Sequence, residues 1–151
     1  MTHVSKLVGA LAVATGLAFA SMAHAADADK LNLIDELAVW YAAHSDGFDR
    51  DASVGAVDAA LAPDATIVLT ALDITQTKSD YLDSFEGWRD AIEGGIVAHR
   101  VDENDGSRAV VTVCYTFESS AVMNRETIVF NPDLQITELV AEQIAENCDS
   151  F

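Results

Sequence analysis

The chain has 151 residues, half of them hydrophobic, and a formal net charge of −17 at pH 7. This excess of acids argues against binding to nucleic acid, whose phosphates require a basic surface, and disfavours contact with anionic membranes. Because the acids are scattered along the sequence, we attribute the charge mainly to solubility; attraction of cationic ligands is the alternative interpretation.

The first residues have the pattern of a secretory signal peptide. Residues 1–6 contain a lysine and no acid, an apolar run of about 16 residues extends from Leu7 to Met22, and small residues stand at Ala23 and Ala25. The run is shorter than the ~20 residues of a membrane anchor, which is the alternative. We therefore predict a signal peptide over residues 1–25 and a single exported domain over residues 26–151. We expect this domain to be periplasmic or secreted and not to contact the membrane after cleavage.

The first half of the domain has the periodicity of helices. In KLNLIDELAVWYAAHSDGF the residues Ile34, Leu37 and Tyr41 recur at helical spacing, and a glycine ends the helix. Ser53 is the predicted N-cap of a second helix, which Pro63 ends. A short β segment, ATIVLT, follows, and the next eight residues fit either a short strand or a loop.

A third helix then leads into a meander of strands. Ser79 or Asp80 caps this helix, whose apolar face consists of Leu82, Phe85, Trp88 and Ile92. The segments IVAHRVDE, SRAVVTVCYTFE and VMNRETIVF are strands separated by turn sequences. LQITELVAEQI fits a helix or a strand, and its position favours a strand. The order predicts an α+β fold with helices on one face of a curved antiparallel sheet.

The two cysteines, Cys114 and Cys148, suggest a disulfide, because export implies an oxidising compartment. Cys114 lies in the middle of a predicted strand, so the alternative is that geometry keeps the two thiols apart. Neither their spacing nor their neighbours indicate a metal site, and we predict no metal and no cofactor.

The order of these elements resembles the nuclear transport factor two-like superfamily and, within it, the SnoaL-like branch. The matching phrases are LIDELAVWYAAHSDG, VDAALAPDATIVL, HRVDENDGSRAVVTV and ITELVAEQI, which together cover residues 31–144. The resemblance implies a cone-shaped, strongly curved sheet wrapped around three N-terminal helices, with an apolar pocket at its open end. Enzymes of this superfamily place an acid–base carboxylate or imidazole in that pocket, beside Tyr, Asp or Asn donors.

Four polar residues on the first helix, just after it and on the third strand are candidates for such a site. On its strand His99 shares a face with two valines, so we expect it to face the helices, either as a base or as a histidine hydrogen-bonded at the rim or in the core. The resemblance implies that Tyr41 contacts the ligand and that Asp46 acts as an acid or base, although Asp46 also fits a turn residue at the end of the helix. His44 can face the same cavity, or it can simply interact with the helix dipole.

Further candidates lie on the third helix and the later strands. Glu126 is a strong carboxylate candidate if it faces inward, as Ile128 and Phe130 on the same face indicate, whereas Val129 argues for the opposite orientation. Trp88 and Tyr115 are predicted core and pocket wall, and an aromatic lining suits a flat or apolar ligand.

The chain also departs from the SnoaL-like pattern. Catalytic members carry a histidine at the start of the third strand, where this chain has EGGIVA. We therefore favour a pocket protein that binds a small apolar or aromatic ligand and can form a homodimer. The alternative is a cofactor-independent isomerase, dehydratase or cyclase, with His99 moving the proton and Tyr41 and Asp46 orienting the ligand.

Overall fold

The computed structural model describes the backbone of residues 17–151 and the side chains of residues 29–151. Most of the predicted signal peptide, residues 1–16, lies outside the described residues. The helices are α1 (Leu17–Ala43), α2 (Arg50–Ala60) and α3 (Lys78–Ala91), with a short 3-10 helix at Thr70–Leu72. The strands are β1 (Leu61–Leu69), β2 (Ile74–Thr77), β3 (Ile96–Asn104), β4 (Arg108–Thr116), β5 (Ala121–Phe130) and β6 (Ile136–Ala145). In the described part of the chain, no helix is both long and apolar enough to span a bilayer.

The six strands form one sheet in the order β2-β1-β6-β5-β4-β3. Four neighbouring pairs are antiparallel, but β1 runs parallel to β6. The sheet is therefore mixed, whereas a purely antiparallel sheet was predicted. The parallel pair arises because β1 is inserted beside the last strand of the meander, and α3 connects the two parts of the sheet. The predicted α+β cone with three helices is confirmed.

Helix α1 buries Leu37 and Tyr41 of the predicted stripe, but not Ile34. Leu33, Leu37, Trp40 and Tyr41 are buried, whereas Ile34 is 41% exposed. The spacing of the buried residues follows two adjacent rows of the helix, which together form a broad apolar face against the sheet. This face supplies most of the helical contribution to the core.

The predicted caps of α2 and α3 were wrong by a few residues. Asp49 caps α2 by accepting from the backbone N–H of Ala52 at 2.9 Å, and Ser53 lies within the helix. Helix α2 ends at Ala60, before the proline that was predicted to stop it, because β1 already begins at Leu61. Thr77 caps α3 and forms a capping box with Asp80.

The C-terminal tail is fastened to the outer face of the sheet, the face that points away from the helices. Cys148 forms a disulfide with Cys114 of β4, with a Cα–Cα distance of 5.8 Å. Phe151 places its ring 5.6 Å from the guanidinium of Arg100 on β3. Cys114 itself is buried, so the tail covers a part of the sheet that would otherwise face water.

Candidate functional site

A cavity of about 390 Å³ lies between the inner face of the sheet and helices α1 and α3. Six aromatic side chains contribute to its wall: Trp40, Tyr81, Phe85, Trp88, Tyr115 and Phe117. Its polar lining consists of His44, Gln76, Ser84, Asn124, Glu126 and Gln143. The cavity therefore combines a mainly apolar wall with a few polar groups that can orient a ligand.

Glu126 is the buried carboxylate of this cavity. Alternation along β5 turns Asn124, Glu126 and Ile128 towards the helices, and Glu126 is only 2% exposed. The Tyr41 hydroxyl donates to its Oε2 at 2.8 Å, and the Tyr115 hydroxyl donates to its Oε1 at 2.6 Å. One phenol comes from α1 and the other from β4, so helix packing and strand pairing together fix the orientation of the carboxylate.

The surroundings of Glu126 change its acidity in two opposing ways. Burial raises the pKa of Glu126 because it disfavours the charged form, while hydrogen bonds from Tyr115, Tyr41 and Asn124 oppose that rise; burial prevails. Burial and the nearby carboxylate also raise the pKa of Tyr41 and of Tyr115 well above the usual value, so both phenols stay protonated as donors. A carboxylate with a raised pKa beside a cavity is a recognised feature of acid–base sites.

His44 and Tyr81 form a second polar pair in the cavity wall. The Nδ1 atom of His44 lies 2.7 Å from the backbone carbonyl of Trp40, and its Nε2 atom lies 2.7 Å from the Tyr81 hydroxyl. A carbonyl can only accept, so Nδ1 carries the proton and, in the neutral ring, Nε2 accepts from Tyr81. The Tyr81 oxygen is therefore left with lone pairs rather than a proton to offer a ligand.

The imidazole of His44 is held in its neutral form. Burial lowers the pKa of His44 to about 4, and the positive charge of Arg89 acts in the same direction. Arg89 is itself buried and donates to the backbone carbonyls of Ser45 at 2.7 Å and Phe48 at 3.0 Å, just beyond the end of α1. His44 therefore lines the cavity, which was one of its two interpretations, but its environment does not suit it to act as a proton carrier at neutral pH.

His99 faces α1, as the alternation along β3 predicts, but it is not among the described residues that line the cavity. Its half-buried ring is stacked on the ring of Tyr41, with centroids 4.6 Å apart, and burial lowers its pKa. The difference arises because β3 is the edge strand of the sheet, where Tyr41 packs against it. The structure thus separates His99 from the cavity and makes it a support for Tyr41.

Asp46 also lies away from the cavity. It follows the end of α1 in an exposed turn, and it is not among the described residues that line the cavity. This position agrees with the turn-residue interpretation of Asp46 and not with a role in ligand orientation. Tyr41 reaches the site only indirectly, since it is 1% exposed and directs its hydroxyl to Glu126.

The sequence did not single out Tyr81, Gln76 or Asn124 as candidates. Tyr81 precedes Phe85 by four residues and Trp88 by seven, so the helical spacing of α3 could have placed it on the same face. Asn124 shares its strand parity with Glu126, which was a usable indication. Gln76 lies in β2, within the segment that fitted either a strand or a loop, and nothing in that segment indicated its position.

Comparisons with known proteins place this architecture among known folds. No protein-family model matches the chain, and no curated protein matches it. Among solved structures, a candidate ketosteroid isomerase from Kribbella flavida is similar with 17% identity and a TM-score of 0.59, over 78% of this chain and 81% of the other. A candidate isomerase of the SnoaL-like family from Agrobacterium tumefaciens has 12% identity and a TM-score of 0.58, over 78% and 99% of the two chains.

A third similar structure contains a bound small molecule. It is a hypothetical protein with a ketosteroid-isomerase-like fold from Catenulispora acidiphila in complex with trimethylamine, with 18% identity and a TM-score of 0.50, over 71% of this chain and 83% of the other. The predicted resemblance is thus confirmed at the level of the fold, which is nuclear transport factor two-like. Identities this low establish the fold and leave the activity to be argued from the site.

Proposed function

We propose that this protein is an exported pocket protein that binds a small, largely apolar ligand in the aromatic cavity. The observation that carries the proposal is the cavity itself, whose volume of about 390 Å³ is lined by six aromatic side chains. Small-molecule sites typically enclose roughly 300–1,000 Å³ and have apolar walls with a few orienting polar groups. The complex of a neighbour of this fold with trimethylamine supports the idea that the fold can hold a small ligand.

Export is part of the proposal. The disulfide between Cys114 and Cys148 is compatible with an oxidising compartment, where such bonds persist. Cleavage after Ala25 would leave Ala26 at the start of the mature chain. Intact-mass measurement of the protein from the periplasm or the medium tests this point, and recovery of the full-length chain in the cytoplasm alone would contradict it.

Tryptophan fluorescence gives a direct test of ligand binding. The chain has two tryptophans, Trp40 and Trp88, and both line the cavity. We expect toluene and cyclohexanol to shift the tryptophan emission to the blue in a saturable way, because they replace water around the indoles. Native mass spectrometry of the purified protein provides an independent search for a ligand that is retained during purification.

A pair of variants on β6 controls this experiment. Ala141 lines the cavity and Val140 points to the opposite face, so Ala141→Leu should fill the cavity and Val140→Leu should not. We expect Ala141→Leu to abolish the saturable shift and Val140→Leu to preserve it. Equal responses of the two variants, or no saturable response in the unmodified protein, would show that the cavity is not the binding site.

The second candidate is a cofactor-independent isomerase, dehydratase or cyclase, and the raised pKa of Glu126 favours it. In this mechanism Glu126, rather than His99 or His44, removes a proton from a bound carbonyl compound. The Tyr115 hydroxyl, which already donates to Oε1, steadies the carboxylate during the transfer. The resulting carboxylic acid returns the proton to another atom of the substrate and becomes a carboxylate again, so no redox cofactor is required.

Deuterium exchange tests the second candidate. We expect the protein in heavy water to accelerate exchange at acidic C–H positions of some members of a panel of small cyclic ketones. Glu126→Gln should reduce that acceleration about 100-fold or more, as loss of a general base does. Glu138→Gln removes the same charge from an exposed position of β6 and should leave it unchanged. Equal exchange rates with Glu126→Gln and the unmodified protein would rule out this mechanism.

A further inference from the structure

We propose that the ligand of the cavity is a small organic cation, a tertiary or quaternary ammonium compound, with Glu126 as its counter-ion. This inference rests on the proposed function, because it names the chemical class of the ligand that the cavity binds. It comes from three features of the wall: the sign of its charge, the arrangement of its aromatic rings and the hydrogen-bonding state of Tyr81.

The charge of the cavity wall has one sign. Among the described residues that line it, Glu126 carries a carboxylate and none is a lysine or an arginine. The buried Arg89 lies nearby, but its guanidinium donates to backbone carbonyls at the end of α1. A buried carboxylate without a cationic partner is unfavourable, and a cationic ligand would supply the missing charge.

The hydrogen bonds of Glu126 leave room for such a partner. Each carboxylate oxygen accepts one phenol hydroxyl, at 2.8 Å from Tyr41 and 2.6 Å from Tyr115. Asn124 contributes a third hydrogen bond. An ionised carboxylate has about four acceptor positions, so at least one remains for a ligand. The two phenols orient the carboxylate and support its charged form, which a neutral apolar ligand would not stabilise.

The aromatic rings meet at steep angles around Trp88. Its ring lies 5.2 Å from that of Tyr115 with an interplanar angle of 82°, and 5.7 Å from that of Phe117 with an angle of 76°. Rings that meet nearly at right angles can present their electron-rich faces to one cation from several sides, as in sites that bind quaternary ammonium groups. A neutral ligand of the same shape would gain only the apolar contact.

Tyr81 adds an acceptor to this wall. Since neutral His44 accepts the Tyr81 proton at 2.7 Å, the phenol oxygen has lone pairs available for a ligand N–H donor. This arrangement suits a protonated tertiary amine. The overall net charge of −17 further raises the local concentration of cations around the protein.

Two molecules of the same shape but different charge test the inference. Choline carries a trimethylammonium group, and 3,3-dimethylbutan-1-ol carries a neutral tert-butyl group in its place. Calorimetric titration at physiological salt should show choline binding about 30-fold tighter than the alcohol, the effect of desolvated cation–π contacts and a counter-ion. Tryptophan emission provides a second readout of occupancy in the same samples.

Two isosteric variants separate the cavity charge from the surface charge. We expect Glu126→Gln to reduce choline affinity about tenfold or more and to leave binding of the alcohol unchanged or improved. Glu138→Gln, which removes an exposed charge from β6, should leave the preference for choline intact. Circular dichroism of both variants verifies that they are folded, and the comparison of choline with the alcohol in the unmodified protein does not depend on either.

The outcomes distinguish this inference from the proposed function. If the alcohol binds as tightly as choline, or if toluene binds and choline does not, the cationic ligand is excluded and the apolar pocket stands. If Glu126→Gln retains the preference for choline, Glu126 is not the counter-ion and the inference fails. If toluene, the alcohol and choline all fail to bind, the proposed function itself fails.

Discussion

Two carboxylates on opposite faces of the sheet both accept side-chain hydrogen bonds, but their pKa values are shifted in opposite directions. On the inner face Glu126 accepts from the hydroxyls of Tyr41 and Tyr115. On the outer face Asp102 accepts from the Thr112 hydroxyl at 2.5 Å and from Arg100 at 3.0 Å. The pKa of Glu126 is raised because burial outweighs its hydrogen bonds, whereas the hydrogen bonds from Thr112 and Arg100 lower the pKa of Asp102.

The difference shows that burial, more than the number of donors, decides what a carboxylate can do here. Asp102 is exposed and remains charged across the physiological range, as an ordinary surface acid does. Glu126 is enclosed by aromatic side chains, so its charge can be changed by a ligand or by a proton. The inner face therefore carries the candidate chemistry, and the outer face carries the disulfide that ties down the tail.

Removal of the disulfide is expected to have the largest effect on stability. The bond joins residues 34 apart, and in the chain-entropy model such a cross-link contributes roughly 3–4 kcal/mol. We expect the Cys114→Ala/Cys148→Ala double variant to lose about that amount in urea unfolding. It should retain toluene binding, because Cys114 lies on the outer face. Loss of binding in the folded variant would show that the outer face also shapes the cavity.

The pH dependence of His44 should have the next largest effect. Its pKa falls from 6.5 in the unfolded chain to about 4 in the folded protein, so the neutral ring contributes stability above pH 6.5 that is lost as the pH falls towards 4. The full shift corresponds to roughly 3 kcal/mol. Urea unfolding between pH 7 and pH 4 should therefore show a steeper loss for the unmodified protein than for His44→Gln.

Over part of the range from pH 7 to pH 4, Glu126 adds stability as the pH falls, whereas His44 removes it. The effect of His44 is therefore isolated by the difference between the curves of the unmodified protein and His44→Gln, and not by either curve alone. Parallel curves for the unmodified protein and His44→Gln would show that the His44 imidazole is not held neutral by burial.

Loss of a single hydroxyl on each face tests the role of burial directly. Tyr115→Phe removes a donor from a buried carboxylate and should cost about 1.5–3 kcal/mol, whereas Thr112→Val removes a donor from an exposed one and should cost about 1 kcal/mol or less. Tyr115→Phe should also raise the pKa of Glu126 further. Equal costs in urea unfolding at pH 7 would contradict the distinction between the two faces.

Much of the fold could be predicted because its determinants are local. Helical spacing identified the face of α3, and strand alternation placed His99 on the inner face but left the orientation of Glu126 open. The order of elements indicated an α+β fold with a curved sheet, and the resemblance to the superfamily implied the cone. The caps of α2 and α3 were misplaced because several neighbouring residues, such as Asp49 and Ser53, can each cap a helix, and the sequence does not rank them.

The site was harder to predict because it depends on long-range pairing. Tyr41 and Glu126 are 85 residues apart, and no local pattern indicates that they form a hydrogen bond. Alternation gives the face of His99 but not the position of β3 in the sheet, and an edge strand covered by Tyr41 leaves that face outside the cavity. The same limit applied to β1, whose parallel pairing with β6 depends on where the chain re-enters the sheet.

The smallest effect is expected for Asp102, and one measurement compares it with Glu126. Because the folded pKa of Asp102 is lowered, its contribution to the stability of the fold is present above its unfolded pKa of 3.8 and is lost as the pH falls. Because the folded pKa of Glu126 is raised, its contribution to stability is present below its unfolded pKa of 4.5 and is lost as the pH rises through the folded value.

Relative to the unmodified protein, Asp102→Asn should therefore become less stable as the pH rises, by about 0.5 kcal/mol or less for an exposed group. Glu126→Gln should become more stable over the corresponding rise. Unfolding curves from pH 3 to pH 8 would show slopes of opposite sign, and slopes of the same sign would mean that burial does not control the acidity of Glu126.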